Sequence, residues 1–202
     1  MTDELTGRPE RPGPPRSSPQ ARAELDPDRA ALHDLIADGP RRAQSRVPLV
    51  DDEGRLLGPF GAMLHSPRIG AAVQQVGAAL RTDPDLPPRL RELAVLAVAA
   101  HVRSEFEWSS HEGAARDAGL TGDQLQALLD GTEPAGLDPA EQHALRITRA
   151  LLVDRDVDDD LYTGALAALG RDTLAALVWL VGYYAMLAGA LATFRPAGPG
   201  SG

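Results

Sequence analysis

The chain contains no cysteine, no lysine and no asparagine. Without cysteine there is no disulfide, no thiolate nucleophile, no redox pair and no thiolate metal ligand. Without lysine there is no Schiff base and no lysine-anchored pyridoxal phosphate. Aromatic residues make up only 4% of the 202 residues, whereas Ala and Leu are abundant, so composition favours helices over a sheet. Positive charge is scarce. The 20 basic residues, all Arg, face 29 Asp and Glu, and the net charge of -9 argues against non-specific nucleic-acid binding and against docking on an acidic membrane. The chain also lacks internal repeats, a glycine-rich phosphate loop and a His-Glu-x-x-His zinc motif. Catalysis, if present, falls to His, Asp, Glu, Tyr, Ser, Thr, Arg, a metal or a borrowed cofactor.

What is there reads as one all-α domain over residues 24–197, flanked by unstructured tails at 1–23 and 198–202. The first tail is rich in Pro and Arg and has no apolar core segment. It is therefore expected to be solvated and not a signal peptide, which makes the cytoplasm the expected location. Asp26 as cap and Pro27 as first residue predict a helix to Ala37, on which His33 is expected at the surface or an edge. Asp52-Glu53-Gly54 predicts a turn between Val47–Val50 and Leu56–Leu57. Ser66-Pro67 predicts a helix to about Arg81, with His65 at the joint before it, either bonding the loop or lining a pocket. Further helices are expected from Pro88 to Val102, Ser104 to Ala118, Thr121 to Leu129, Asp138 to Val153 and Asp158 to Leu169. His143 is read as exposed.

The densest chemistry lies between Arg89 and Leu120. The first of its two helices is apolar nearly all round, with Glu92 as the exception. Glu92 is either an acid favoured by the helix dipole or a buried acid that needs a partner. The second helix opens on Ser104. Glu107, three residues later, fits a capping box. Glu107 and His111 are also four apart, which places them on one helix face within reach of a shared proton. His101 and Glu105 make a second such pair on another face. A metal held by Glu92, Glu107 and His111 would be an oxygen-rich site, and nothing in the sequence demands one.

From Thr173 to Phe194 no residue is charged. Length and hydropathy make this segment a candidate membrane span. Its abundant Ala, and the small-residue face of Gly182, Ala185, Gly189 and Ala192, suit instead tight packing in a core or a subunit interface.

Four blocks, GPFGAMLHSP, LPPRLRELAVLAVAA, SEFEWSSHEGAARDAGL and VGYYAML, carry a resemblance. The stretch from Val47 to Ala197 resembles the carboxymuconolactone decarboxylase family, which includes the alkylhydroperoxidase D-like proteins. The resemblance implies an all-α, alkylhydroperoxidase D-like helical bundle that forms homotrimers or homohexamers, which would account for a charge-free last helix without a membrane. In the alkylhydroperoxidase branch a Glu is followed twelve positions on by a Cys, three on by a second Cys and four on by a His. Those positions here hold Glu92, Ser104, Glu107 and His111. With both cysteines missing, disulfide-based peroxide reduction is excluded. What remains is similar to the cysteine-free members.

That resemblance implies a lyase-type enzyme needing no cofactor, whose substrate is a small unsaturated carboxylic acid or lactone. Glu92, Glu107 and His111 are the expected catalytic residues, with His111 moving protons and one Glu orienting it. His65, Ser104, Trp108 and Tyr183 are the expected substrate-binding residues, and Phe106 or Tyr184 are further candidates for the pocket wall. The same set suits isomerisation, dehydration or cyclisation of a larger metabolite. A non-catalytic oligomeric protein is the rival reading, with Glu107 as a cap, His111 as its partner and Glu92 as a dipole-stabilising acid.

Overall fold

The computed structural model describes Gly7 and residues 14–39, 42 and 47–196. The tail 198–202, most of 1–13 and much of the irregular 41–46 lie outside the described residues. Among the described residues there are nine α-helices and no strands. Five helices begin on a side chain whose oxygen accepts the amide three residues on: Asp26, Ser104, Thr121, Asp138 and Asp158. Each such cap stabilises its helix by about 1 kcal/mol. At Thr121 and Asp138 the bond is reciprocated by Gln124 and Glu141.

Within the span read as one domain, the chain divides into two compact units. One runs over Asp83–Ala188, and the other takes the described residues of Pro12–Thr82 and Gly189–Gly202. In the second unit, α1 (Pro27–Ala37) and α2 (Gly58–Met63) both pack on α3 (Pro67–Thr82). Gly70 makes this close approach possible, since a Cβ there would lie 2.6 Å from Met63 O and 2.8 Å from a Leu32 methyl. The expected turn forms between Val50 and Leu56, which bridge in antiparallel fashion, with Gly54 at φ +75°. His33 departs from its expected surface position. It is buried, and its Nε2 donates to Gly54 O at 2.8 Å, tying α1 to that turn. Part of the segment expected to be solvated also makes contacts: Arg16 N–H donates to Arg195 O at 3.2 Å and Ser17 bridges Pro196.

The first unit is built on α4 (Pro88–Val102), whose Leu93, Val95 and Leu96 are fully buried. Around it pack α5 (Glu105–Asp117), α6 (Gly122–Leu129) and α7 (Pro139–Val153), and α8 (Asp159–Leu169) packs on α7. Between α4 and α5 the chain turns through Arg103, a non-glycine residue at φ 54°, in the left-handed region. Ser104 N–H closes the turn on Ala99 O at 2.9 Å. This break corrects the His101–Glu105 pair: the two residues lie on different helices, both exposed, so helical spacing does not relate them. His143 is also not exposed as expected. It is half-buried against α8, where a Cβ on Gly164 would meet its ring at 2.5 Å.

The charge-poor last helix, α9, spans Arg171–Phe194. It is long and apolar enough to cross a membrane by length and composition, and half of its most apolar window is buried in the protein itself.

Candidate active site

Glu92 sits on α4 beyond the first turn, so the helix dipole does not explain it. It is 3% exposed, and both carboxylate oxygens are engaged. Oε2 accepts from His111 Nδ1 at 2.7 Å, and Oε1 accepts from Arg91 Nε at 3.1 Å. Burial pushes the carboxyl upward. The hydrogen bond and charge of His111, with Arg91 beside it, outweigh that and hold Glu92 below the ordinary carboxyl range. An ionised Glu92 places the proton on Nδ1 of His111 and leaves Nε2 as the working nitrogen.

Two groups approach that nitrogen. Tyr184 on α9 brings its hydroxyl to 3.2 Å from Nε2, with its ring edge-on to the imidazole at a centroid distance of 5.1 Å. Glu107 Oε2 lies 3.9 Å away, beyond a direct hydrogen bond but within ion-pair reach once the ring is charged. Glu107 lies in the first turn of α5, and its N–H donates to Ser104 Oγ at 3.4 Å. The reciprocal half of the expected capping box does not form, because the Ser104 amide is committed to Ala99.

The structure thus brings Glu92, Glu107 and His111 together and makes Glu92, not Glu107, the direct partner of the imidazole. The other expected residues fall elsewhere. Ser104 is buried as a helix cap. Trp108 is fully buried among Leu93, Leu96 and Leu125, and its Nε1 donates to Glu112 at 3.2 Å. It therefore belongs to the core, where a large apolar ring is most favourably buried. Tyr183 is buried with its ring edge-on to Tyr184 at 5.2 Å, which makes it a neighbour of the site through that ring. His65 belongs to the other unit, where its exposed ring stacks on Phe194 at 4.5 Å and lines an open polar hollow with Arg16, Ser17 and Arg29.

Sequence reasoning missed Arg91, and it treated Tyr184 only as a possible wall. Arg91 directly precedes Glu92, but neighbours in sequence point to different helix faces, so the contact had no pattern to announce it. Among the described residues, no group of three or more His, Asp or Glu side chains has a metal-holding arrangement.

Comparison with known proteins supports the all-α fold. No curated protein matches the chain in sequence. Solved structures share the fold, among them the following three. A protein of unknown function from Agrobacterium tumefaciens, described as an AhpD-type antioxidant defence protein, is 17% identical with a TM-score of 0.61, over 68% of this chain and 94% of its own. The debrominase Bmp8, solved with 2,3,4-tribromopyrrole, is 11% identical with a TM-score of 0.66, over 91% of each chain. An alkylhydroperoxidase AhpD core from Ralstonia eutropha, an uncharacterized peroxidase-related protein, is 16% identical with a TM-score of 0.65, over 91% of this chain and 92% of its own. Residues 67–150, which hold Glu92, Ser104, Glu107 and His111, match the carboxymuconolactone decarboxylase family. Over those residues the chain is similar to that family, and it contains no cysteine.

Proposed function

We propose that the chain is an enzyme that moves protons with the Glu92–His111 pair, without thiols or a bound cofactor, on a small unsaturated carboxylic acid or lactone. The observation that carries this reading is the 2.7 Å bond between His111 Nδ1 and a Glu92 carboxylate that is almost wholly buried. A buried acid is retained at the expense of desolvation, and here it fixes the tautomer of the one imidazole beside it. That is the arrangement of an oriented general base. Loss of a carboxylate from an unsaturated acid leaves a dienolate, which one positioned acid then protonates. Simple proton transfer at the same carbon needs the same group.

Self-association is part of the proposal. On α9 the large apolar side chains of Val178, Trp179 and Met186 are exposed at 38%, 69% and 47%, and Gly182 is exposed on the same side. A second copy, in a trimer or a multiple of trimers, would cover them. No membrane and no nucleic acid enters this reading, and its place is the cytoplasm.

The test is carbon dioxide release and product formation from a panel of unsaturated lactone acids, with wild type beside His111→Gln. The expected result is turnover in wild type and a fall of roughly 10²- to 10⁴-fold in the variant. Equal rates in the two proteins would remove the assignment.

A further inference from the structure

We propose that Tyr184 is the catalytic residue that hands the proton to the substrate, with His111 recharging it. This deepens the function proposed above and rests on it.

Three side chains at the site are candidates for the proton donor: His111, Glu107 and Tyr184. His111 Nδ1 is committed to Glu92, so only Nε2 can reach outward. Nε2 already faces the Tyr184 hydroxyl at 3.2 Å. A substrate atom reaches Nε2 directly only if the phenol withdraws. The phenol is held in place: Tyr184 is 8% exposed, and its ring is wedged edge-on between His111 and Tyr183. Glu107 stands 3.9 Å from Nε2 and is poorly placed to recharge from it. A phenol carries a proton at neutral pH. The order acid, imidazole, hydroxyl is the logic of a base-activated hydroxyl group, with a phenol at its end.

The step balances without any further reagent. In proton transfer the Tyr184 proton moves to Nε2 of His111 as the phenolic oxygen takes the proton from the substrate carbon, so an O–H bond forms as the C–H bond breaks and the site holds imidazolium, phenol and dienolate. The dienolate carbon then takes the Tyr184 proton, and the phenolic oxygen takes the Nε2 proton back, which restores the starting state with Nδ1 donating to Glu92. Where the dienolate arises by loss of carbon dioxide, the phenol gives its proton to carbon and the tyrosinate regains one from water through Nε2.

The experiment uses the full chain and one probe, 5-oxo-2,5-dihydrofuran-2-ylacetic acid, an unsaturated lactone acid. Deuterium uptake from D₂O into its ring carbons is followed by proton NMR in wild type, Tyr184→Phe, His111→Gln and Tyr162→Phe. Tyr162 is exposed on α8 and serves as the control. The expected result is exchange in wild type and Tyr162→Phe, with losses of roughly 10²- to 10⁴-fold in both Tyr184→Phe and His111→Gln. A fluorotyrosine at position 184 keeps the ring and makes the phenol more acidic. It should displace the pH profile of exchange, which a merely structural ring would leave in place. Wild-type exchange in Tyr184→Phe, or an unmoved profile with fluorotyrosine, overturns the Tyr184 assignment and leaves the Glu92–His111 reading standing. A wild type that exchanges nothing overturns both.

Discussion

Glu92 and His111 lie 19 residues apart in sequence, and their side chains meet at 2.7 Å. The contact exists because Arg103, in the left-handed region, ends α4 sharply and sends α5 back along it. The carboxylate is buried, and His111, with 20% of its side chain exposed, is the more accessible end of the pair. Function and stability therefore meet in Glu92, since its charge is paired only while the fold holds.

The pH dependence of stability follows from that pairing. Glu92 is held below its ordinary value of about 4.5 in the folded chain. Its contribution is therefore fully present above that value and lost as pH falls through the lower, folded value. Glu92→Gln keeps the shape and removes the charge. At neutral pH the variant should be less stable by about 1–3 kcal/mol in urea unfolding. The gap to wild type should close as pH drops below about 4.5. A gap that stays constant through the acid range would mean that the charge of Glu92 does not matter to the fold.

The tautomer of His111 gives a second, independent reading. With Glu92 accepting from Nδ1, the neutral ring should be protonated there, and nitrogen NMR shifts report this directly. Glu92→Ala removes the acceptor, so the proton should redistribute between the two nitrogens. A wild-type ring protonated at Nε2 would contradict the geometry.

Helix boundaries were legible wherever a local signal set them. Pro27–Ala37, Pro88–Val102 and Pro139–Val153 start where a proline fills the first turn, and the sequence placed all three. Arg103 carries no such signal. Nothing in its side chain marks a left-handed residue, so the pairing of His101 with Glu105 across it failed. Half of the site was equally local: Glu107 and His111 share a helix face by spacing alone. Glu92 stood out as a possible buried acid on an apolar helix, but which partner it meets had no local pattern to announce it. Tyr184 stands 73 residues from His111, and the register of one helix against another is set by packing that no local pattern records. The buried His33 shows the same limit, because its partner is a backbone carbonyl rather than a side chain.

Two glycines separate close approach from mere absence of a side chain. At Gly70 an added Cβ would lie 2.6 Å from Met63 O, a backbone atom that cannot swing away. Gly70→Ala should therefore destabilise the protein by about 1–3 kcal/mol. Gly113 is exposed within α5, and an added Cβ there meets nothing within 4 Å. Gly113→Ala should stabilise by roughly 0.4–1 kcal/mol, by narrowing the unfolded ensemble. Thermal unfolding of the two variants checks both signs, and a neutral Gly70→Ala would show that α2 and α3 do not hold this spacing in solution.

The exposed face of α9 separates assembly from a membrane and from a lone monomer. Trp179 is 69% exposed, so its replacement breaks little inside the chain. Trp179→Arg places a charge at the centre of the apolar stripe, where a partner copy would have to bury it unpaired. Light scattering should show wild type as a trimer or a multiple of it and the variant as a monomer with unchanged helix content. If α9 inserted into lipid instead, wild type would need detergent to stay in solution. A wild type that is monomeric without detergent would mean that Val178, Trp179 and Met186 face water, and the assembly proposal would fall while the Glu92–His111 pair, which belongs to one chain, stands.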